Sequence, residues 1–441
     1  MKRIIIFVVI VFGLYILAQM KLKDTDFSHK LSQAIADLCD NVQEFWVDFR
    51  EFWVNFRGEL ANLLRKSKRR GSRIKKIISE VRENAEVSME SLRRELNENT
   101  PLSQDTIEIL THLSDSLWQI AIEKSRECGD GEEDIHGLNC MYKAIDLYAS
   151  MTPQWVANST RTLSYFLTKP ARDEKEKIRS IYWWITHNIR YDEGYILGEH
   201  DLSFKSTSAV LKERVAVCSG YANLFETLAR KAGLEAVTIH GYAKGYGYEI
   251  GQHFSRPDHA WNAVKLEGAW YLVDCTWGSG YWDPVTRTHK MEYEDFYFLT
   301  PAHLFIYSHF PLDERWQLLD QPLQLNEFED LPEIKPLFFK LNLRIGNFSE
   351  CTIETDTPLT VYLYAPEEVI FLANIYRHSE DSNVLVAKVN REGEKVSFYI
   401  DLQEPGEYIL RIFASSGQSL FVLYREVIVY SVRFGMERRR S

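Results

Sequence analysis

The chain has 441 residues, 45% of them hydrophobic, and a formal charge of −11; it is too long for one typical domain and apolar enough for more than one core. Residues 1–100 hold 18 Lys and Arg against 14 Asp and Glu, so this arm carries +4 and the remainder −15. An acidic bulk argues against nucleic acid as a main partner, and six cysteines in so long a chain exclude a disulfide-rich scaffold.

Lys2 and Arg3 precede an uninterrupted apolar run over residues 4–18, the pattern of a charged n-region and an h-region of a secretory signal. The run is shorter than the roughly 20 residues of a comfortable membrane span. Ile16 fits poorly with cleavage after Ala18. A signal anchor is therefore ranked ahead of a cleaved peptide, and the protein is expected to be membrane-anchored through this segment or secreted, in either orientation. A direct heptad duplication follows, EFWVDFR at 44–50 and EFWVNFR at 51–57. It repeats Phe45, Trp46 and Phe49 as Phe52, Trp53 and Phe56, an aromatic stripe of period seven that suits packing within the chain, on a partner helix or by self-association. Residues 65–76 contain eight basic side chains and no acidic one, a solvated stretch or, beside a cytoplasmic membrane face, a site for anionic headgroups.

A second helical region is expected over 105–151. Within it Cys128 and Cys140 bracket an acidic, glycine-containing loop, open to a bridge if the domain is exported. Cys128, His136 and Cys140 lack the fourth ligand and the spacing of a zinc site, so no metal or cofactor is expected. The stretch IRSIYWWITHNI reads as a strongly apolar helix whose Trp183 and Trp184 pack on a sheet.

The segment AVCSGYANLFETLARKAGLE places Cys218 at the start of a helix, with Leu224, Phe225, Leu228 and Ala232 as its apolar face and Gly233 as its stop. Backbone N–H groups and the dipole at a helix start favour thiolate. Downstream, DHAWNAVKLEGAWYLVDCTWGSG reads as two strands around the two-residue turn Glu267-Gly268. Pairing residues symmetrically about that turn sets His259 opposite Thr276 and Trp261 opposite Asp274. His259 and Asp274 then share a face as diagonal neighbours, while Cys275 points away. Thiolate, imidazole and carboxylate are the parts of a nucleophile, base and orienter system. The intervening GYAKGYGYEIGQHFSRPD suits a loop lining a substrate groove, to which Tyr246, Tyr248, Trp261 and Trp277 are assigned.

Beyond residue 336 the texture changes to short alternating strands, from FFKLNLRI and CTIET through VLVAKVN to LFVLYREVIVYSV, as in a β-sandwich of about a hundred residues. Asn158 and Asn347 each begin an N-glycosylation acceptor triplet.

These residues resemble the transglutaminase-like superfamily and, more narrowly, its kyphoscoliosis peptidase and hillarin group. The resemblance runs over residues 163–319 and rests on FLTKPARDEKEKIRSIYWWITHNIRYD, VCSGYANLFETLARKAGL, GYAKGYGY, DHAWNAVKLEGAWYLVDCTWGSG and FYFLTPAHLFIYSHFPLDERWQLL. It implies a papain-like core for thiol acyl transfer on amides, with Cys218 as nucleophile, His259 as base and Asp274 as its partner. The best-known animal members have a Trp directly after the nucleophile and another upstream for the oxyanion. Here Ser219 follows Cys218 and no Trp lies between Ile185 and Cys218, which leaves an oxyanion donor other than the Cys218 N–H unassigned. No EF-hand-type loop is present to support calcium dependence. Some members of the narrower group lack triad residues and serve as scaffolds; this chain keeps all three.

The resulting expectation is an α+β protein: a papain-like transglutaminase core, with a helix-borne Cys packed on an antiparallel sheet carrying His and Asp, preceded by helices and followed by an immunoglobulin-like β-sandwich. Its parts are a signal segment (1–20), a helical arm (21–100), a helical region (101–155), the catalytic domain (156–325), the β-sandwich (336–433) and a basic tail (434–441). The expected activity is peptidase-like hydrolysis of a protein or peptide substrate. Glutamine crosslinking and a non-catalytic adaptor are the alternatives.

Overall fold

The computed structural model describes residues 102–127, 138–199, 205–377, 380–416 and 423–435. The apolar segment at 4–18, the heptad duplication, the basic run, the acidic loop after Cys128 and the three terminal arginines lie outside the described residues. Among the described residues no helix is long and apolar enough to cross a membrane.

The chain divides into two compact units. In the first, helix α1 (Gln104–Glu127), the end of α2 (Leu138–Ser150) and α3 (Thr160–Thr168) pack around Tyr148. Its buried hydroxyl donates to Phe166 O at 2.7 Å and contacts Ser114 Oγ at 2.9 Å, while its ring stacks on Phe166 at 5.0 Å. Burying so large a side chain is favourable only with its polar end satisfied, as here.

The second unit opens with α4 (Glu174–Asn188), started by Asp173, whose carboxylate accepts from Glu176 N at 2.8 Å. Of the two adjacent indoles in α4, Trp184 is buried, whereas Trp183 lies half-exposed against His187. Strands β1 (Arg190–Tyr191) and β2 (Val215–Ala216) then pair in parallel, with α5 (Thr207–Glu213) between them. After α6 (Cys218–Lys231) come β3 (Glu235–Ala243), β4 (His259–Leu266) and β5 (Ala269–Val273). A short β8 (His309–Pro311) completes an antiparallel sheet in the order β5-β4-β3-β8. Between β5 and β8 lie the one-turn helix α7 (Cys275–Gly278) and the hairpin β6 (Tyr281–Asp283) to β7 (Thr288–Lys290).

Glu267 and Gly268 both have positive φ, 51° and 87°, the two-residue turn that fixes hairpin register. The pairing Asn262↔Val273 through Leu266↔Ala269 is the one the turn predicts. β4, however, is buried along both faces, with Ala260 through Val264 all in the interior, so its polarity does not alternate.

Helix α8 (Leu325–Glu329) leads into the β-domain. One sheet orders β10 (Arg344–Ile345), β12 (Leu359–Tyr364), β16 (Lys395–Ile400) and β15 (Lys388–Glu392). The other orders β11 (Thr352–Thr355), β18 (Arg425–Phe434), β17 (Gly406–Ser415), β13 (Ile370–Arg377) and β14 (Glu380–Val386), with β9 (Glu333–Ile334) also on β18. Residues such as Val361, Phe398, Leu410 and Ile428 fill the space between them. Two predicted strands change. FFKLNLRI begins as the short helix α9 (Pro336–Lys340), because Pro336 stands in its first turn where no N–H is needed; VLVAKVN crosses from one sheet to the other at Ala387.

Candidate active site

Cys218 is the first residue of α6 and is half-buried. The preceding Val217 has extended backbone and offers no side-chain cap, so no side chain of the cap residue claims the first-turn N–H groups. Leu224, Phe225 and Leu228 are fully buried, Gly233 ends the helix at φ +84°, and Arg230 with Lys231 sits favourably in the last turn. Two polar contacts fix the helix laterally. Tyr221 donates its hydroxyl to Ile189 O at 2.6 Å, and Asn262 on β4 donates to Ala222 O at 3.0 Å and Val237 O at 3.2 Å.

His259 begins β4, and its Nε2 lies 2.8 Å from Asp274 Oδ2. An ionised carboxylate only accepts, so Nε2 carries a proton, and Cys218 lies close enough to bear on the same imidazole. Burial alone would lower the pKa of His259; the Asp274 carboxylate and the Cys218 contact outweigh it and push it up to about 10. Asp274 is fully buried, which disfavours its charge, yet its hydrogen bonds and the facing imidazoles hold it well below the usual carboxylate range.

Asp274 does not lie on a strand. The ladder stops at Asn262↔Val273, so the predicted pairs His259–Thr276 and Trp261–Asp274 do not form. Asp274 caps α7 instead, its Oδ1 accepting from Thr276 N at 2.7 Å and Trp277 N at 3.1 Å. Oδ2 is thereby aimed at His259 from an N-cap position.

His309, which sequence reasoning passed over, also reaches this carboxylate: its Nε2 lies 3.1 Å from Asp274 Oδ2. It arrives on β8, which pairs with β3 through Gly241↔Pro311 and Ala243↔His309. A Cβ on Gly241 would sit 2.2 Å from Phe310 O and 2.6 Å from the Trp261 ring, so only glycine admits β8 so closely. His259, Asp274 and His309 offer three potential metal-ligand atoms within 4.8 Å of one another. Both imidazoles, however, direct Nε2 at the same carboxylate oxygen at hydrogen-bond distance, which accounts for the cluster without an ion.

The four aromatic residues assigned to a groove separate. Trp261 is 1% exposed and packs with Ile239, Leu272 and Phe305; it backs His259 from the core, because the face of β4 that bears it is covered. Tyr248 is half-buried and stacks on Phe254 at 5.6 Å, pinning the loop. Tyr246 is 66% exposed against Trp282, and half-buried Trp277 lies 5.4 Å from the His259 ring. Tyr191, not selected from sequence, lies beside Cys218, and burial followed by the Cys218 charge raises its pKa.

The loop before His259 is fastened to the segment entering the β-domain. Glu329, nearly buried, accepts from Phe254 N at 2.7 Å and pairs with His253 Nδ1 at 2.6 Å. Lys244 donates to Leu331 O at 2.6 Å over the Phe328 ring. Burial, opposed by nearby acidic groups, lowers the Lys244 pKa to about 8.

Residues 161–275 match the transglutaminase-like superfamily, and residues 325–439 match the KY-like, immunoglobulin-like domain. The chain is 35% identical over 296 residues to kyphoscoliosis peptidase of Homo sapiens, covering 66% of this chain and 43% of that protein. Hillarin of Drosophila melanogaster is 32% identical over 272 residues, 55% of this chain and 32% of hillarin. The Lim and transglutaminase domain protein ltd-1 of Caenorhabditis elegans is 30% identical over 313 residues, 65% and 43% of the two chains. The chain thus spans less than half the length of these relatives. It carries a transglutaminase-like domain followed by a KY-like, immunoglobulin-like domain.

Proposed function

We propose that this protein performs cysteine-nucleophile acyl transfer on protein amides, with water as the usual acceptor. The observation that carries the reading is the buried Asp274 carboxylate paired at 2.8 Å with His259, whose imidazole is influenced by Cys218 at the start of α6. His259 draws the thiol proton, the thiolate attacks the amide carbonyl, and the imidazolium returns its proton to the leaving amine. Asp274 holds the imidazolium throughout. Water, deprotonated by His259, then opens the thioester and releases the acid. The backbone N–H of Cys218 at the start of α6 is the candidate donor for the oxyanion. Hydrolysis is favoured over crosslinking by the name of the relatives called peptidase.

The test is acylation of the full chain by p-nitrophenyl acetate, followed by mass spectrometry. A burst of one equivalent of nitrophenolate with the acetyl group on Cys218, absent in Cys218→Ser, supports the reading. No burst, or acetyl groups only on lysines, favours the adaptor alternative.

A further inference from the structure

The line from Cys218 to Asp274 leaves His309 without a task, although it is one of two imidazoles on a single carboxylate oxygen. Its side chain is fully buried, stacked on Phe305 at 4.0 Å and bordered by Trp277 at 4.4 Å and Trp261 at 5.1 Å. Its polar contacts are Asp274 Oδ2 on Nε2 and Ser308 Oγ, 2.8 Å from Nδ1. Burial lowers its pKa against the pull of Asp274, and the charge of His259 adds to the lowering, to about 4. A neutral imidazole facing a carboxylate must donate from Nε2, which leaves Nδ1 bare to accept the Ser308 hydroxyl proton. The ring therefore has one tautomer and, wedged among aromatic rings, one orientation.

That geometry answers a mechanical requirement of the triad. Oδ1 of Asp274 is tied to two backbone N–H groups, but Oδ2 faces His259, a group that gains and loses a proton and must follow the nucleophile. A second donor on Oδ2 that does not move keeps the carboxylate in place during transfer. It must also be uncharged, because a Lys or Arg there would compete with the imidazolium for the same negative charge.

We infer that His309 is a positioning residue for the catalytic pair, holding Oδ2 of Asp274 with a neutral Nε2–H while the Ser308 hydroxyl occupies its Nδ1 side. The inference rests on the catalytic reading above. The ionisable groups facing His259 are Cys218, Asp274, Asp258 and His309, and those facing His309 are Asp274, His259 and Tyr297.

The experiment compares wild type, His309→Gln, which keeps a donor near Nε2, and His309→Leu, which keeps bulk alone. The full chain is acylated by p-nitrophenyl acetate between pH 5 and 9, and ring 15N resonances are recorded from pH 5 to 11. The expected result is a roughly 10–100-fold slower acylation in His309→Leu, as for other partners that orient a reacting group. The His259 titration midpoint should move by at least about half a unit, and His309→Gln should recover most of the rate. His309 in wild type should show the Nε2–H tautomer throughout. The opposite tautomer, or a His309→Leu protein with wild-type His259 midpoint and rate, overturns the inference. The stated tautomer in wild type and the midpoint shift in His309→Leu, with no acylation of wild type, defeat the catalytic reading alone. If His309→Leu does not fold, the wild-type tautomer and the His309→Gln profile still decide.

Discussion

Acidification from pH 6.5 to 5 should destabilise this protein through His309, and replacing that imidazole should remove the effect. The folded pKa of His309 is held down at about 4 by burial, against an ordinary value of about 6.5 in the unfolded chain. Between those values the unfolded state binds one more proton than the native state, so stability rises with pH and is lost as pH falls. The slope is at most about 1.4 kcal/mol per pH unit, and across this window the loss approaches about 2 kcal/mol. His259 has the opposite sign. Its folded pKa of about 10 gives stability that is fully present below about pH 6.5 and is lost as pH rises toward 10, so it contributes no slope in the acid window. Urea unfolding of wild type and His309→Gln at pH 6.5 and 5 isolates the term, because carboxylates common to both proteins cancel. Wild type should lose about 2 kcal/mol more than the variant. Equal losses would refute a buried, neutral His309.

Three substitutions probe the scaffold. Gly241→Ala sets a Cβ against Phe310 O; it should cost about 1–3 kcal/mol in urea unfolding and slow Cys218 acylation, since β8 carries His309. Asn262→Ala leaves Ala222 O and Val237 O without its amide in the interior; a loss of about 1–3 kcal/mol is expected, and a loss below roughly 0.5 would show that the bond does not tether α6. Glu329→Leu unfastens Phe254 N and His253; faster proteolysis within residues 245–257 is the expected outcome, and unchanged cleavage would count against the clamp.

The hairpin was legible because its register depends on two adjacent residues of positive φ, and Glu267-Gly268 is a recognisable pair. The helix start at Cys218 was legible from its apolar spacing and Gly233. Asp274 was misplaced because extrapolating the ladder ignored that Asp is also a strong N-cap, and here two backbone N–H groups draw it off the strand. His309 carried no local signal: it is 35 positions from Asp274, on a three-residue strand whose approach depends on Gly241. The aromatic residues divided between core and surface according to coverage of β4 on both faces, which is a tertiary property invisible in the strand itself.

The most direct measurement of an activated Cys218–His259 pair is the iodoacetamide labelling rate of Cys218 at pH 6, in wild type and His259→Ala. The account predicts rapid labelling in wild type and a rate at least roughly 100-fold lower in the variant, the usual scale of assistance by a positioned base. Equal, slow rates in both would contradict it.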